Sequence, residues 1–143
     1  MKRTLFSALA AIAASGCADL VTLEKLPPAD PASAGEVVLL RPSAFIGDDV
    51  VYLVNVDKKD VAELGSRQSQ RLVLSAGEHR IAIRCPGALS GWSETAITQG
   101  VVTGKTAYLA VAPKHACASV DAVAESEAKK MLANTSPRAG WRQ

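Results

Sequence analysis

The chain has 143 residues, with 16 Lys and Arg against 14 Asp and Glu, 48% hydrophobic residues and 4% aromatic ones. That length suits one hydrophobic core, and a formal net charge of +2 with so few aromatics lacks the basic surplus of a nucleic-acid binder. Three cysteines and two histidines leave little material for a metal cluster or a paired nucleophile and base.

Lys2 and Arg3 form a charged start, Leu5 to Ala14 an apolar run, and Ala14-Ser15-Gly16-Cys17 a small-residue close, which is the build of a secretory signal. The run is shorter than the roughly 20 apolar residues that cross a bilayer. Residues 14–17 resemble the lipobox of bacterial lipoproteins, in which diacylglycerol is attached to the Cys, the chain is cut before it and the new amino terminus is acylated. Ala14 stands where that motif usually has Leu. The resemblance implies that residues 1–16 are a signal peptide and that Cys17 is the lipidation site; ordinary signal-peptidase cleavage at the small residues is the alternative. Ala18, where Asp would retain such proteins at the inner membrane, implies the outer membrane of a two-membrane bacterium. Two or three acyl chains, at about 0.8 kcal/mol per buried CH₂, hold a protein there firmly. Loss of Lys2 and Arg3 leaves 14 basic against 14 acidic residues, so charge implies no electrostatic partner.

With Cys17 committed to lipid, Cys85 and Cys117 remain as an even pair in a compartment that permits oxidation, and a disulfide is expected. The competing metal reading adds His115 to Cys85 and Cys117, but a structural zinc site wants four ligands at recognised spacings. No metal or cofactor is therefore expected.

From Cys17 to Gly35, Pro27, Pro28 and Pro31 lie among Ala, Asp and Ser, the composition of an extended tether. The folded unit is expected over residues 36–133. It alternates short apolar runs with turn residues, a β pattern. Strands are expected at Glu36–Arg41, Asp49–Asp57, Val61–Leu64, Gln70–Leu74, His79–Arg84, Ser93–Val102 and Thr106–Ala112. Val50, Tyr52, Val54 and Val56 point one way and Val51, Leu53 and Asn55 the other, so both faces of the second strand should be buried. Asp57-Lys58-Lys59-Asp60 and Gly65-Ser66 read as hairpin turns. Ser75-Ala76-Gly77-Glu78 reverses the chain again, Cys85-Pro86-Gly87 ends a strand, and Pro113 ends the last one.

The period then changes. Val120, Val123, Ala124, Ala128, Met131 and Leu132 follow helical spacing, with acids early and Lys129 and Lys130 late. Ser119 to Ala124 fits equally the end of a strand before a shorter helix. Residues 134–143 read as a flexible tail, with Trp141 exposed or loosely packed.

Motifs for catalysis are weak. Gly100-Val-Val-Thr-Gly104-Lys105-Thr106 has the wrong glycine spacing for a phosphate loop and runs into a strand where such a loop needs a helix. Ser126-Glu-Ala-Lys129 matches the Ser-x-x-Lys spacing of penicillin-recognising enzymes without their companion motifs. His79 reads as a hairpin residue, and no Ser or Cys near His79 or His115 in sequence forms a recognisable nucleophile arrangement. Asp48-Asp49 and Asp57 to Asp60 lack the ligand series of a calcium site and read as solvated turns. Arg80, Arg84 and Lys114 read as the wet face of strands.

Two segments, Leu72-Val-Leu-Ser-Ala-Gly77-Glu-His79-Arg-Ile81-Ala-Ile83 and Val102-Thr-Gly104-Lys105-Thr-Ala-Tyr108-Leu-Ala-Val111, resemble a group of small, uncharacterised bacterial lipoproteins with a PEGA-like β-sandwich domain. The likeness spans most of residues 36–133. It implies a hairpin with Gly-x-His at its turn and a later strand opened by Gly-Lys, while Asp57-Lys58-Lys59-Asp60 replaces the usual Asp-Gly turn. It supplies no catalytic residue.

The expectation is thus a mainly β protein, an antiparallel β-sandwich of about seven strands with a short C-terminal α-helix. It is held to the membrane by an N-terminal lipid and acts, without catalysis, on an envelope protein partner. A structural role in envelope integrity is the alternative, and a ligand carrier or hydrolase using His79 or His115 a more distant one.

Overall fold

A computed structural model describes residues 21–87 and 91–138. The signal segment, Cys17 and Trp141 lie outside the described residues. The protein is mainly β, with two sheets and one short helix among the described residues.

The strands are β1 (Ala34–Arg41), β2 (Tyr52–Val56), β3 (Lys59–Leu64), β4 (Gln68–Ser75), β5 (Gly77–Pro86), β6 (Trp92–Val101), β7 (Thr106–Lys114), β8 (Cys117–Val123) and the two-residue β9 (Ser136–Pro137), with α1 (Glu125–Leu132) between the last two. One sheet has the order β8-β7-β1-β4-β9 and the other β3-β2-β5-β6. Alternating side chains of both sheets meet in one cluster: Val37 and Leu39 of β1, Leu72 and Leu74 of β4 and Leu109 of β7 come from the first, Val54, Ile81 and Ile83 from the second. All five residues of β2 are buried, as its two-faced apolar pattern requires.

Three expectations need correction. The sheets are not wholly antiparallel, because β1 pairs in parallel with β7 and β4 with β9. Between β1 and β7 the chain passes through every strand of the other sheet, and after such an excursion nothing compels a hairpin's antiparallel return. The turns after β3 and β4 are not hairpins either. Each carries the chain from one sheet to the other, whereas Asp57-Lys58 closes a true two-residue hairpin, with Val56 opposite Lys59. Last, Pro86 and Pro113 lie within strand ends rather than beyond them. β1 pairs with β7 only as far as Ala110, so Pro113 sits where its missing N–H can face an unpaired side.

The C-terminal segment divides as a strand followed by a helix. Val120 and Ala118 face the main cluster from β8, and the shorter helix lays Ala128 against Val38 and Leu40 on the other side of β1. Both faces of β1 are thereby buried. Acidic Glu125 and Glu127 in the first turn of α1, and Lys129 and Lys130 in the last, complement its dipole.

The described part of the tether does not stand free. Leu26 packs against the main cluster, the Glu24 N–H donates to the Asp60 carbonyl at 2.7 Å, and the Ala76 N–H donates to Ser33 at 2.9 Å. The chain enters β1 beside the β6–β7 turn so tightly that a Cβ on Gly35 would collide with the Val102 carbonyl oxygen. This end also holds the Asp57-Lys58 turn and the corner at Ser75–Gly77. The opposite end carries the loop 42–51, the Gly65–Arg67 turn, the β7–β8 turn and the end of β5.

Candidate functional site

The corner after β4 brings Ser75, His79 and Asp57 together. His79 Nδ1 lies 2.7 Å from Asp57 Oδ2, and Nε2 lies 2.8 Å from the Ser75 carbonyl oxygen and 3.5 Å from Ser75 Oγ. These are the side-chain types of a hydrolase triad, but their proton arrangement differs from one. A carbonyl oxygen only accepts, so Nε2 carries a proton, and the carboxylate at Nδ1 draws a second. An imidazole donating from both nitrogens has no lone pair left to activate Ser75.

The titration shifts agree with this arrangement. Burial lowers the His79 pKa, yet the hydrogen bonds to Asp57 and to the Ser75 carbonyl, with the Asp57 charge, raise it on balance. Burial likewise raises the Asp57 carboxyl, but His79 and the Arg80 N–H, 2.9 Å away, together hold it below the usual carboxylate range. Ser75 belongs to the five-stranded sheet, His79 to the four-stranded one and Asp57 to that sheet's β2–β3 turn, so the cluster is a clasp between sheets. Gly77, at φ +129, gives the corner a conformation that a side chain would oppose.

The other sequence candidates disperse. His115 is exposed in the β7–β8 turn, at the end of the molecule away from His79. Cys85 and Cys117, 32 residues apart, are joined by a disulfide with Cα atoms 5.2 Å apart. β5 and β8 belong to different sheets and face each other across the main cluster, so the bond ties the two sheets. Neither sulfur is a free thiolate for the metal reading with His115. Among the described residues no group of three His, Cys, Asp or Glu could hold a metal ion. Arg80 pairs with Glu94 and Arg84 with Asp60 on the four-stranded sheet, while Lys114 ends β7 in the other sheet, so the three are not gathered on one face. Lys129 pairs with Glu125 at 2.8 Å, and residues 100–106 run from strand through turn to strand.

The opposite end has a more unusual construction. Arg41 falls on the same face of β1 as Val37 and Leu39, and is 1% exposed. Its guanidinium donates to the carbonyls of Val50 (2.5 Å), Gly47 (2.6 Å) and Leu64 (2.7 Å), and stacks 3.8 Å from the centre of the Tyr52 ring. Burial lowers its pKa, against the raising influence of Tyr52 and Asp48. Asp48 accepts from Ser66 Oγ and from the Ala44 N–H at 2.9 Å, and these bonds, the Ser66 bond foremost, hold its carboxyl below the ordinary range. Two polar side chains therefore fix a loop whose tip is apolar and open: Phe45 is 103% and Ile46 75% exposed. Val51 and Trp92 add exposed apolar surface at the same end.

No family model, curated protein or solved structure matches the chain.

Sequence reasoning missed this loop and its holder. The signal was present, because Arg41 continues the i, i+2, i+4 alternation of Val37 and Leu39, which aims a cation at the core. The Asp57 partner of His79, 22 residues away, had no local signal at all.

Proposed function

We propose that this protein is a lipid-anchored envelope protein whose β-sandwich domain, akin to the PEGA-like lipoproteins, is a non-catalytic module that binds an envelope protein. Cys17 is the anchor and Ala18 directs it to the outer membrane, on the periplasmic side. The observation that carries the binding role is the loop 42–51. A fully exposed Phe beside an exposed Ile is unfavourable in water unless something covers it, and here the buried Arg41 and the exposed Asp48 tie down Ala44, Gly47 and Val50 on either side of that pair. The hydrolase reading is weaker, since the lone pair that His79 would need is engaged.

A photo-crosslinking residue at Phe45 in the full-length chain, expressed in its own cells, tests the reading. The expected result is one reproducible envelope protein crosslinked from position 45, lost in the Ile46→Ser background and in the unanchored Cys17→Ser chain. No crosslinked partner, with the chain still in the membrane fraction and its disulfide formed, would overturn the binding role and leave passive envelope integrity as the better account.

A further inference from the structure

Among the described residues four strands form the sheet edges, and three of them are protected. β3 is bridged by the tether through Glu24 and carries Lys59, Asp60 and Glu63; β9 is two residues long; β8 carries the exposed Asp121 and leads into the helix. β6 has none of these devices. It runs for ten residues, Trp92-Ser-Glu-Thr-Ala-Ile-Thr-Gln-Gly-Val101, without Pro or Lys, and among the described residues it pairs only with β5. Its single charge, Glu94, is already matched by Arg80 of β5. Even its inward-facing residues Ser93, Thr95 and Gln99 are only half-buried, unlike those of β2. A long edge of this kind is a template for another strand.

The sequence of β6 specifies which strand. We propose that β6 pairs antiparallel with β6 of a second copy of this chain, about a two-fold axis at Ala96, joining two four-stranded sheets edge to edge. In that register Ala96 meets Ala96, Glu94 meets Thr98 and Trp92 meets Gly100. No like charges face each other, because Glu94 lies two residues from the axis and opposes a hydroxyl. Trp92, 43% exposed, gains a surface: a Cβ built on Gly100 has nothing within 4 Å, so the ring of one copy can cover the bare glycine of the other. The isologous contact closes on itself and cannot propagate into a fibre through the same edge. This pairing is separate from the Phe45 loop, which lies outside β6.

The test uses the full-length chain in its own membranes. Ala96→Cys, under mild oxidation, is expected to give a disulfide-linked homodimer, since facing Cα atoms in such a pair are about 4.5 to 5.5 Å apart. The parent chain and Phe45→Cys should give none above background. In detergent, Ala96→Lys should lower the association constant about fivefold or more, and mixing it with Ala96→Glu should restore association. Ala96 is exposed, so each variant should retain the parent's circular dichroism. A monomeric Ala96→Cys, a crosslink only to a different protein, or self-association indifferent to both charged variants would each overturn the pairing. None of these outcomes bears on capture from position 45.

Discussion

The two ends of the molecule are each organised by one cationic side chain, yet the two cations sit in different dielectric surroundings. At the end where the chain enters, His79 bridges Asp57 and Ser75, with Asp57 half in water. At the other, Arg41 is sealed among three carbonyls and a tyrosine ring. Water competes for the first arrangement and is excluded from the second, so similar hydrogen bonds should differ several-fold in their effect on stability. The buried cation also cannot be switched by pH, because arginine keeps its charge, whereas histidine titrates near neutrality.

The contrast breaks first at Arg41. Arg41→Met should lower stability by about 3 kcal/mol or more, since three inward carbonyls lose their donor, and urea unfolding measures it. A loss below about 1 kcal/mol would mean that water replaces the guanidinium. The disulfide at the same end comes next. The Cys85→Ala, Cys117→Ala pair should lose about 3 to 4 kcal/mol on the chain-entropy account, and adding reductant to the parent should have a similar effect on its unfolding midpoint.

His79→Ala should cost about 1 kcal/mol or less, because the half-exposed Asp57 is screened, and the loss should depend on pH. The folded-state pKa of His79 is raised, so its contribution is fully present below the unfolded value of about 6.5 and fades as pH rises through the folded value. Asp57 is shifted down, so its contribution is present above about 3.9 and fades as pH falls through its folded value. The clasp is therefore strongest between about pH 4 and pH 6.5. Parent and His79→Ala melting curves should differ there and converge in alkali; a difference that grew with pH would contradict a doubly donating His79.

The smallest effect sharpens the same end. Asp57 and Lys58 both adopt left-handed conformations, φ 49 and 73, in the β2–β3 turn. Asp57 is retained by its bonds to His79 and Arg80, but Lys58 has no such reason, so Lys58→Gly should stabilise by about 0.5 to 1 kcal/mol in thermal unfolding. A loss there would show that the lysine chain itself supports the turn.

Much of the β content was legible because alternation is a local property. Val54 and Val56 against Leu53 and Asn55 state a two-faced strand without reference to anything distant. The turns were legible as turns but not as hairpins or corners: Gly65-Ser66 and Ser75-Ala76-Gly77 have hairpin chemistry, yet they lead into strands of the other sheet. The difference lies in where the flanking N–H and C=O groups bond, which no turn residue records. The same limit hid the site. His79 was readable as a turn-proximal histidine, but its proton state follows from Asp57 in the distant β2–β3 turn and from a carbonyl that any residue at position 75 would supply.

Residue type and short spacing already carry the β class, the positions of most strands, the acid-to-base order of the helix and the even pair Cys85 and Cys117. It takes the packed chain to set β1 between β4 and a parallel β7, to span two sheets with the disulfide and to have Arg41 hold an apolar loop open. Those outcomes depend on which distant groups satisfy each other's hydrogen bonds, an allocation made across the whole chain at once.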